Sequence, residues 1–248
     1  MATPGVSSGT TPTEPGQAPR HPRLVWRQTV VAAAQLENPN ARTLRLDVPG
    51  WSGHRAGQHV DVRLTAPDGY QATRSYSLSS GPHEPPQITV QRTDEGEVSP
   101  FLVDVVEIGD ALEVLGPLGG YFVWDPTPEP LLLVGGGSGI APLRSLWRAA
   151  PAQPDVAILY SSRAREDVLF EDELRMWGPS VRLHLTREAA DGFVQGRLDR
   201  ASLEEALRAH ERQPDVFVCG PTSFVEAMAS WLTDLVDDPR RIRTERFG

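Results

Sequence analysis

Between Leu24 and Trp124 the chain alternates apolar and polar residues in short bursts, and turn signals such as DVPGWSG and APDGY separate them. An alternation of period two marks a half-buried strand. The bursts are WRQTVVAAAQL, ARTLRLDV, QHVDVRL, TRSYSLS and QITVQR, with DALEVLGPLGGYFVW supplying a last strand or two. Short strands so closely spaced predict a small antiparallel barrel or sandwich. EVSPFLVDV, Glu97 to Val105, reads as a short helix inside it. DPTPEP, Asp125 to Pro130, is a linker by composition. Beyond it the strands become continuous apolar runs, LLLVGGG, DVAILYSS, VRLHLT and DVFVCG. These alternate with the amphipathic stretches APLRSLWRAA, EDVLFEDELRMW, SLEEALRAH and TSFVEAMASWLTDL, and RIRTERF closes the chain as an extended segment. That rhythm predicts a parallel sheet covered on both faces by helices.

The expected organisation is therefore a Pro-, Gly-, Ser- and Thr-rich disordered tail over residues 1–22, a barrel over 23–126 and an α/β unit over 127–248. The longest apolar run, LLLV, is far too short to span a bilayer. No basic segment followed by an apolar one opens the chain, so a cytoplasmic protein with no membrane insertion is expected. Net charge is -9 with scattered basic residues, which speaks against a nucleic-acid partner. All 24 basic residues are arginine, and this removes Schiff-base chemistry and any Walker-type phosphate loop, both of which need lysine. The single cysteine, Cys219, excludes an internal disulfide and a cysteine-ligated iron–sulfur cluster. No histidine pairing at ligand spacing points to a metal.

Four stretches carry chemistry. RSYSLSS, residues 74–80, places a guanidinium, a ring and four hydroxyls where a strand ends. GGGSGIAPL, residues 135–143, follows a strand and opens a helix. Glycine permits a tight turn and close backbone approach, and the helix N-terminus offers free N–H groups to phosphate. Pro142 departs from a strict GxGxxG, and Ile140 stands where a nucleophile elbow needs glycine. The second and third strands of the α/β unit end in YSSR and LTRE, placing Arg163, Thr186 and Arg187 where a ribose-binding acid is otherwise expected. Arginine suits a 2′-phosphate, because it donates paired, charge-assisted bonds. Arg163 has Glu166 and Asp167 close by as alternative partners.

Together these stretches resemble the ferredoxin–NADP reductase superfamily over almost everything from Leu24 to Gly248. RSYS (74–77) and GEVS (96–99) resemble its two flavin motifs, GGGSGIAP (135–142) its nicotinamide-dinucleotide loop, and VCGP (218–221) the segment beside the nicotinamide. The resemblance implies an FAD-binding antiparallel β-barrel followed by a Rossmann-like parallel α/β domain for NADPH. It implies that Arg74, with Gly96, Val98 and Ser99, holds the FAD pyrophosphate, that Ser75 is among the cofactor-binding residues, that Tyr76 lies against the flavin ring, and that Ser77 bonds its polar edge. Val90 on the adjoining strand joins the flavin set. Gly137, Ser138, Gly139, Cys219, Gly220 and Pro221 fall to the dinucleotide. GFVQGRL resembles the adenosine-binding stretch, with Phe193 on adenine and Gln195 beside it. TERFG resembles the family's terminal segment, with phenylalanine in place of tyrosine and one extra glycine.

Ser77, Cys219, Glu245 and Phe247 are then the residues expected around the point where nicotinamide meets flavin. The implied reaction runs from NADPH through FAD to a separate electron-acceptor protein, a ferredoxin or an oxygenase component. A free-flavin or quinone reductase, or a non-catalytic flavin-binding subunit, are the alternatives.

Overall fold

The computed structural model describes residues 24–93, 95–150 and 155–247, and the tail expected over residues 1–22 lies outside them. Strands β1 (Arg27–Asn38), β2 (Ala41–Asp47), β3 (His59–Thr65), β4 (Gln71–Ser77), β5 (Gln87–Gln91) and β6 (Ala111–Leu118) form one sheet in the order β4-β3-β6-β1-β2-β5. Every pairing in it is antiparallel. A bridge between Leu78, just past β4, and Ile88 on β5 brings the two edge strands together and closes the barrel. Closure removes the exposed edges that an open sheet would carry.

Alternation builds the barrel's interior. Leu44 and Leu46 of β2, Val60 and Val62 of β3, Ile88 and Val90 of β5, and Leu112 and Val114 of β6 all turn inward and are buried. The predicted helix is a single turn, α1 (Val98–Pro100), running into a wider π turn over Phe101–Val105. Leu102 and Val103 of that turn pack into the same core. Only one strand forms from DALEVLGPLGGYFVW; its remainder contributes an isolated bridge between Trp124 and Ala56.

The second sheet contains β7 (Leu131–Gly136), β8 (Val156–Ser162), β9 (Val181–Leu185), β10 (Val194–Gln195), β11 (Asp215–Pro221) and β12 (Ile242–Phe247), in the order β10-β9-β8-β7-β11-β12. All of its pairings are parallel. β7 is buried on both faces, because Leu131 and Leu133 pack with helix α2 (Ile140–Ala149) while Leu132 and Val134 pack beneath α4 (Arg200–Arg208) and α5 (Thr222–Leu235). That two-sided burial is why the sequence reads as an unbroken apolar run.

The helix expected over EDVLFEDELRMW is shorter, α3 (Glu171–Met176). Phe170 precedes it in the left-handed conformation at φ 59°, which a continuous helix cannot contain. Val168, Leu169 and Phe170 are buried, and Leu169 and Phe170 donate nothing to a helical face because the chain there dives into the core.

The two units meet along α2. Ser145 Oγ donates to the Ser80 carbonyl at 2.6 Å, and Arg144 Nη1 donates to the Ser79 carbonyl at 3.0 Å and to Gln87 Oε1 at 3.1 Å. Glu173 accepts from both Arg144 and Arg148, and Arg148 reaches on to Glu84 of the barrel unit. Desolvation raises the proton affinity of Glu84 and Glu173, but the arginines outweigh it and hold both carboxyls below the usual range.

Candidate functional site

Where strand order reverses between β7 and β11, the loops leaving the two strands part and open a crevice at their C-terminal ends. The barrel's β4 faces this crevice. The resulting cleft has a volume of about 1560 Å³, larger than a single small-molecule pocket of roughly 300–1,000 Å³.

One wall comes from the barrel. Arg74, Ser75, Tyr76 and Ser77 line it from β4. Arg74 donates only to the neighbouring carbonyl of Thr73 at 2.8 Å, and no acid among the described residues neutralises it. Burial pushes the Tyr76 phenol up to about 12, against the nearby charge of Arg74, so the ring is neutral at physiological pH. Gly96, Val98 and Ser99 continue the wall. Gly96 sits at φ 129°, a conformation side chains rarely adopt, and Ser99 accepts from the Thr93 backbone N–H at 3.2 Å.

The other wall comes from the parallel sheet. Gly137 and Ser138 line it at the mouth of α2, and Cys219 and Pro221 line it from β11. Gly139 and Gly220 lie just behind this surface, and both act by having no side chain. A Cβ on Gly139 would stand 2.2 Å from the Cys219 carbonyl oxygen, and one on Gly220 would stand 2.7 Å from the Phe224 ring. Cys219 is 1% exposed. Burial, then the charge of Glu245 beside it, raises its thiol well above the usual range, so it is no nucleophile.

The walls meet at one hydrogen bond. Ser77 Oγ, at the end of β4, donates to Glu245 Oε1 at 3.1 Å. Glu245 on β12 lies beside Cys219 in parallel register, and Phe247 lies beside Pro221. Burial raises the Glu245 carboxyl, opposed by the Ser77 hydrogen bond and then by His59. All four residues expected at the reaction point thus line a single cleft, with Phe247 38% exposed at its rim.

The far end of the cleft carries Arg163, Thr186 and Arg187. Arg163 is committed to Asp167 at 3.1 Å, and Asp167 itself reaches the cleft. No acid pairs with Arg187 among the described residues; Glu188, next in sequence, instead accepts from the Arg165 backbone N–H. Three expected residues are elsewhere. Phe193 packs against the core with Arg175 4.8 Å and Arg165 5.8 Å from its ring centre, because two cations and an apolar floor hold the ring better than open solvent does. Gln195 ends β10, exposed and away from the cleft. Val90 points into the barrel core, as its place in the alternation of β5 requires. Sequence reasoning missed Arg197 and His59, which both line the cleft. Arg197 lies within GFVQGRL itself, and the aromatic there drew attention from it; His59 is paired across the sheet with Ser77, a relation only the strand register reveals.

These features suit two dinucleotides. An unneutralised guanidinium and a glycine turn match a pyrophosphate, a neutral ring matches a flavin face, a hydroxyl matches a polar edge, and the glycine-rich loop before α2 matches a second pyrophosphate. Residues 28–123 match the family model of an oxidoreductase FAD-binding domain, and residues 133–230 that of an oxidoreductase NAD-binding domain. The chain is 32% identical over 209 residues to ferredoxin–NADP reductase B of Sorangium cellulosum, covering 77% of this chain and 84% of that protein. It is 33% identical over 209 residues to the glycine betaine monooxygenase reductase subunit of Chromohalobacter salexigens, covering 78% of this chain and 56% of the relative. Among solved structures, the FAD/NAD-binding domain of nitric oxide dioxygenase from Vibrio cholerae superposes with a TM-score of 0.79 at 25% identity, covering 90% of this chain and 98% of that one. The chain spans 56–64% of the length of the first curated relatives it matches. No helix among the described residues is long and apolar enough to cross a membrane.

Proposed function

The chain belongs to the ferredoxin–NADP reductase superfamily of FAD- and nicotinamide-dependent oxidoreductases, and from that premise we propose that it passes electrons from NADPH through FAD to a separate one-electron acceptor, a ferredoxin or an oxygenase component. The observation that carries this reading is the Ser77–Glu245 hydrogen bond, which joins the barrel's cofactor strand to the last strand of the dinucleotide unit beside Cys219. In this reading residues 23–126 hold the flavin and residues 127–248 the dinucleotide. The name of the Chromohalobacter relative, a monooxygenase reductase subunit, supports an oxygenase component as acceptor. A cytoplasmic location is part of the same reading, since the donor is an intracellular dinucleotide.

Bound FAD supplies the chemistry that side chains lack, accepting a hydride and releasing electrons singly. The chain's own residues bind and align. Arg74, Ser75 and the Gly96–Ser99 turn hold the FAD pyrophosphate, Tyr76 covers the ring, and Ser77 holds its polar edge against Glu245. Gly137, Ser138 and the α2 N-terminus hold the pyrophosphate of NADPH, with Cys219, Gly220 and Pro221 packing beneath the nicotinamide. Phe247 guards the rim. Arg187 and Thr186, joined by Arg197, take the 2′-phosphate; Arg163 is spent on Asp167.

Anaerobic stopped-flow mixing of the FAD-loaded protein with NADPH and with NADH tests the reading. Bleaching of the flavin band is expected with both, faster at low concentration with NADPH. A retained flavin that neither donor bleaches would leave a flavin-binding subunit and no reductase.

A further inference from the structure

NADPH carries a flat base at its adenosine end, and the ring expected beneath that base, Phe193, is held outside the cleft by Arg165 and Arg175. The cleft offers another ring. Phe224, Ala227, Met228 and Trp231 of α5 all line it, a spacing of one helical face. Val225, Met228 and Leu232 of the same helix are buried in the core, so Phe224, Ala227 and Trp231 form the flank that turns towards the cleft. The two rings on this flank differ. Phe224 is enclosed by the glycine turns: a Cβ on Gly136 would stand 2.9 Å from its ring and one on Gly220 2.7 Å. Trp231 is half-buried against the apolar cluster that holds Leu198, and among the described residues no other ring and no guanidinium stacks on it. Ala227, one turn before it, brings only a methyl to the same flank.

We propose that Trp231 is the platform on which the adenine ring of the dinucleotide stacks. The inference rests on the reading of the cleft as an NADPH site. Its place in the cleft fits the adenosine end. Arg200 Nη1 lies 3.2 Å from Asp234, which sets the segment that follows Arg197 beside the turn of α5 that follows Trp231. Arg197, with which no acid pairs among the described residues, lines the cleft there together with Leu198. An open ring beside an unpaired guanidinium is the complement of a phosphorylated adenosine: the ring takes the base, and the arginine takes the phosphate on the neighbouring ribose carbon. Stacking reads no donor or acceptor pattern, so it acts alike on NADPH and NADH. Trp231 therefore adds affinity without choosing between donors, and that choice stays with Arg187 and Arg197. The adenine is also remote from the transferred hydride, so losing its platform falls on binding and not on the chemical step.

The test uses the FAD-loaded protein with two fragments of the donor: adenosine 2′,5′-bisphosphate, and reduced nicotinamide mononucleotide, which lacks the adenosine. In calorimetric titrations the Kd for the bisphosphate should rise roughly tenfold or more in Trp231→Ala, and stay within about threefold of wild type in Trp231→Phe, which keeps a flat ring. Flavin bleaching by the mononucleotide should be unchanged in both variants, which a collapse of α5 would not allow. The KM for NADPH and that for NADH should rise by the same factor in Trp231→Ala, whereas Arg197→Ala should raise the KM for NADPH alone. In the wild type, nuclear Overhauser contacts from adenine H2 and H8 should reach indole protons whose signals disappear in Trp231→Phe. Wild-type affinity for the bisphosphate in Trp231→Ala overturns the proposal, and so does an equal loss of bleaching by the mononucleotide. If Trp231→Ala does not fold, Trp231→Leu, which keeps apolar bulk over the core without a flat face, takes its place in the same titration. Failure of the underlying reading is distinct, because the wild-type protein itself would then not bind the bisphosphate.

Discussion

The two walls of the cleft are built by opposite means. The barrel wall works through atoms that are present: the Arg74 guanidinium, the Tyr76 ring and the Ser77 hydroxyl project from one strand. The parallel-sheet wall works through atoms that are absent, since Gly139 lets the turn before α2 touch the backbone of β11 and Gly220 lets the strand lie against the Phe224 ring. Damage should therefore follow opposite rules. Trimming side chains harms the first wall, and adding even one methyl harms the second.

Gly139→Ala is the strongest test of that contrast. Its Cβ meets backbone at 2.2 Å, so the turn before α2 has to part from β11. Overpacking of this kind costs about 3 kcal/mol, and the expected loss of dinucleotide affinity is roughly hundredfold, with flavin content unchanged. Titration of the flavin-loaded protein with NADP⁺ reads it directly; wild-type affinity would break the comparison. Next comes Arg74→Ala, which removes a charge-assisted pair worth ~1.5–3 kcal/mol and should weaken FAD retention roughly ten- to hundredfold. Equilibrium dialysis of the released flavin measures it, and dinucleotide binding to the reloaded protein should not move.

Smaller effects sharpen the picture within one wall. Arg187→Ala should raise the KM for NADPH about tenfold with kcat nearly unchanged, because an exposed arginine on a remote phosphate binds ground and transition states alike. Phe193→Ala should leave that KM within about twofold, since its ring is held by Arg165 and Arg175 outside the cleft. A large effect from Phe193→Ala and none from Arg187→Ala would exchange their roles. The smallest change concerns stability. Burial raises the Glu245 carboxyl in the folded state above its unfolded value, so the folded protein holds this proton more tightly. That stability is fully present at acid pH and is lost as pH rises through the folded-state value. Glu245→Gln, which keeps an acceptor for Ser77, should melt about 2 °C above wild type near pH 8 and show no advantage near pH 4.

The same contrast explains what could be read from the chain alone. Glycine turns and the RSYS strand are local: each feature sits within a few consecutive residues, and the alternation that surrounds it fixes which way it faces. Relations set by register or packing were hidden. His59 meets Ser77 only because β3 and β4 pair where they do. Phe193 has the right type and spacing for an adenine contact, yet it packs on the core beneath two arginines from a different loop and helix. The helix that stops short at Glu171 does so because Phe170 turns left-handed to bury its ring, a cost no amphipathic period records. Arg163 was the ambiguous case, and its choice of Asp167 depends on the short turn at 165–167 that follows β8.

RSYSLSS also has a second half. Past Ser77 the strand closes the barrel at Leu78 and then hands the carbonyls of Ser79 and Ser80 to Arg144 and Ser145 of α2. The joint between the two units is therefore not the proline-rich segment that the chain crosses, but a helix face laid on the continuation of β4. Anyone recombining this chain with a relative at Asp125–Pro130 would cut through the wrong place. A chimaera that keeps the geometry of the cleft has to inherit Ser79, Ser80, Glu84 and Gln87 together with Arg144, Ser145, Arg148 and Glu173, so the heritable module is a seam shared by both units rather than either unit alone.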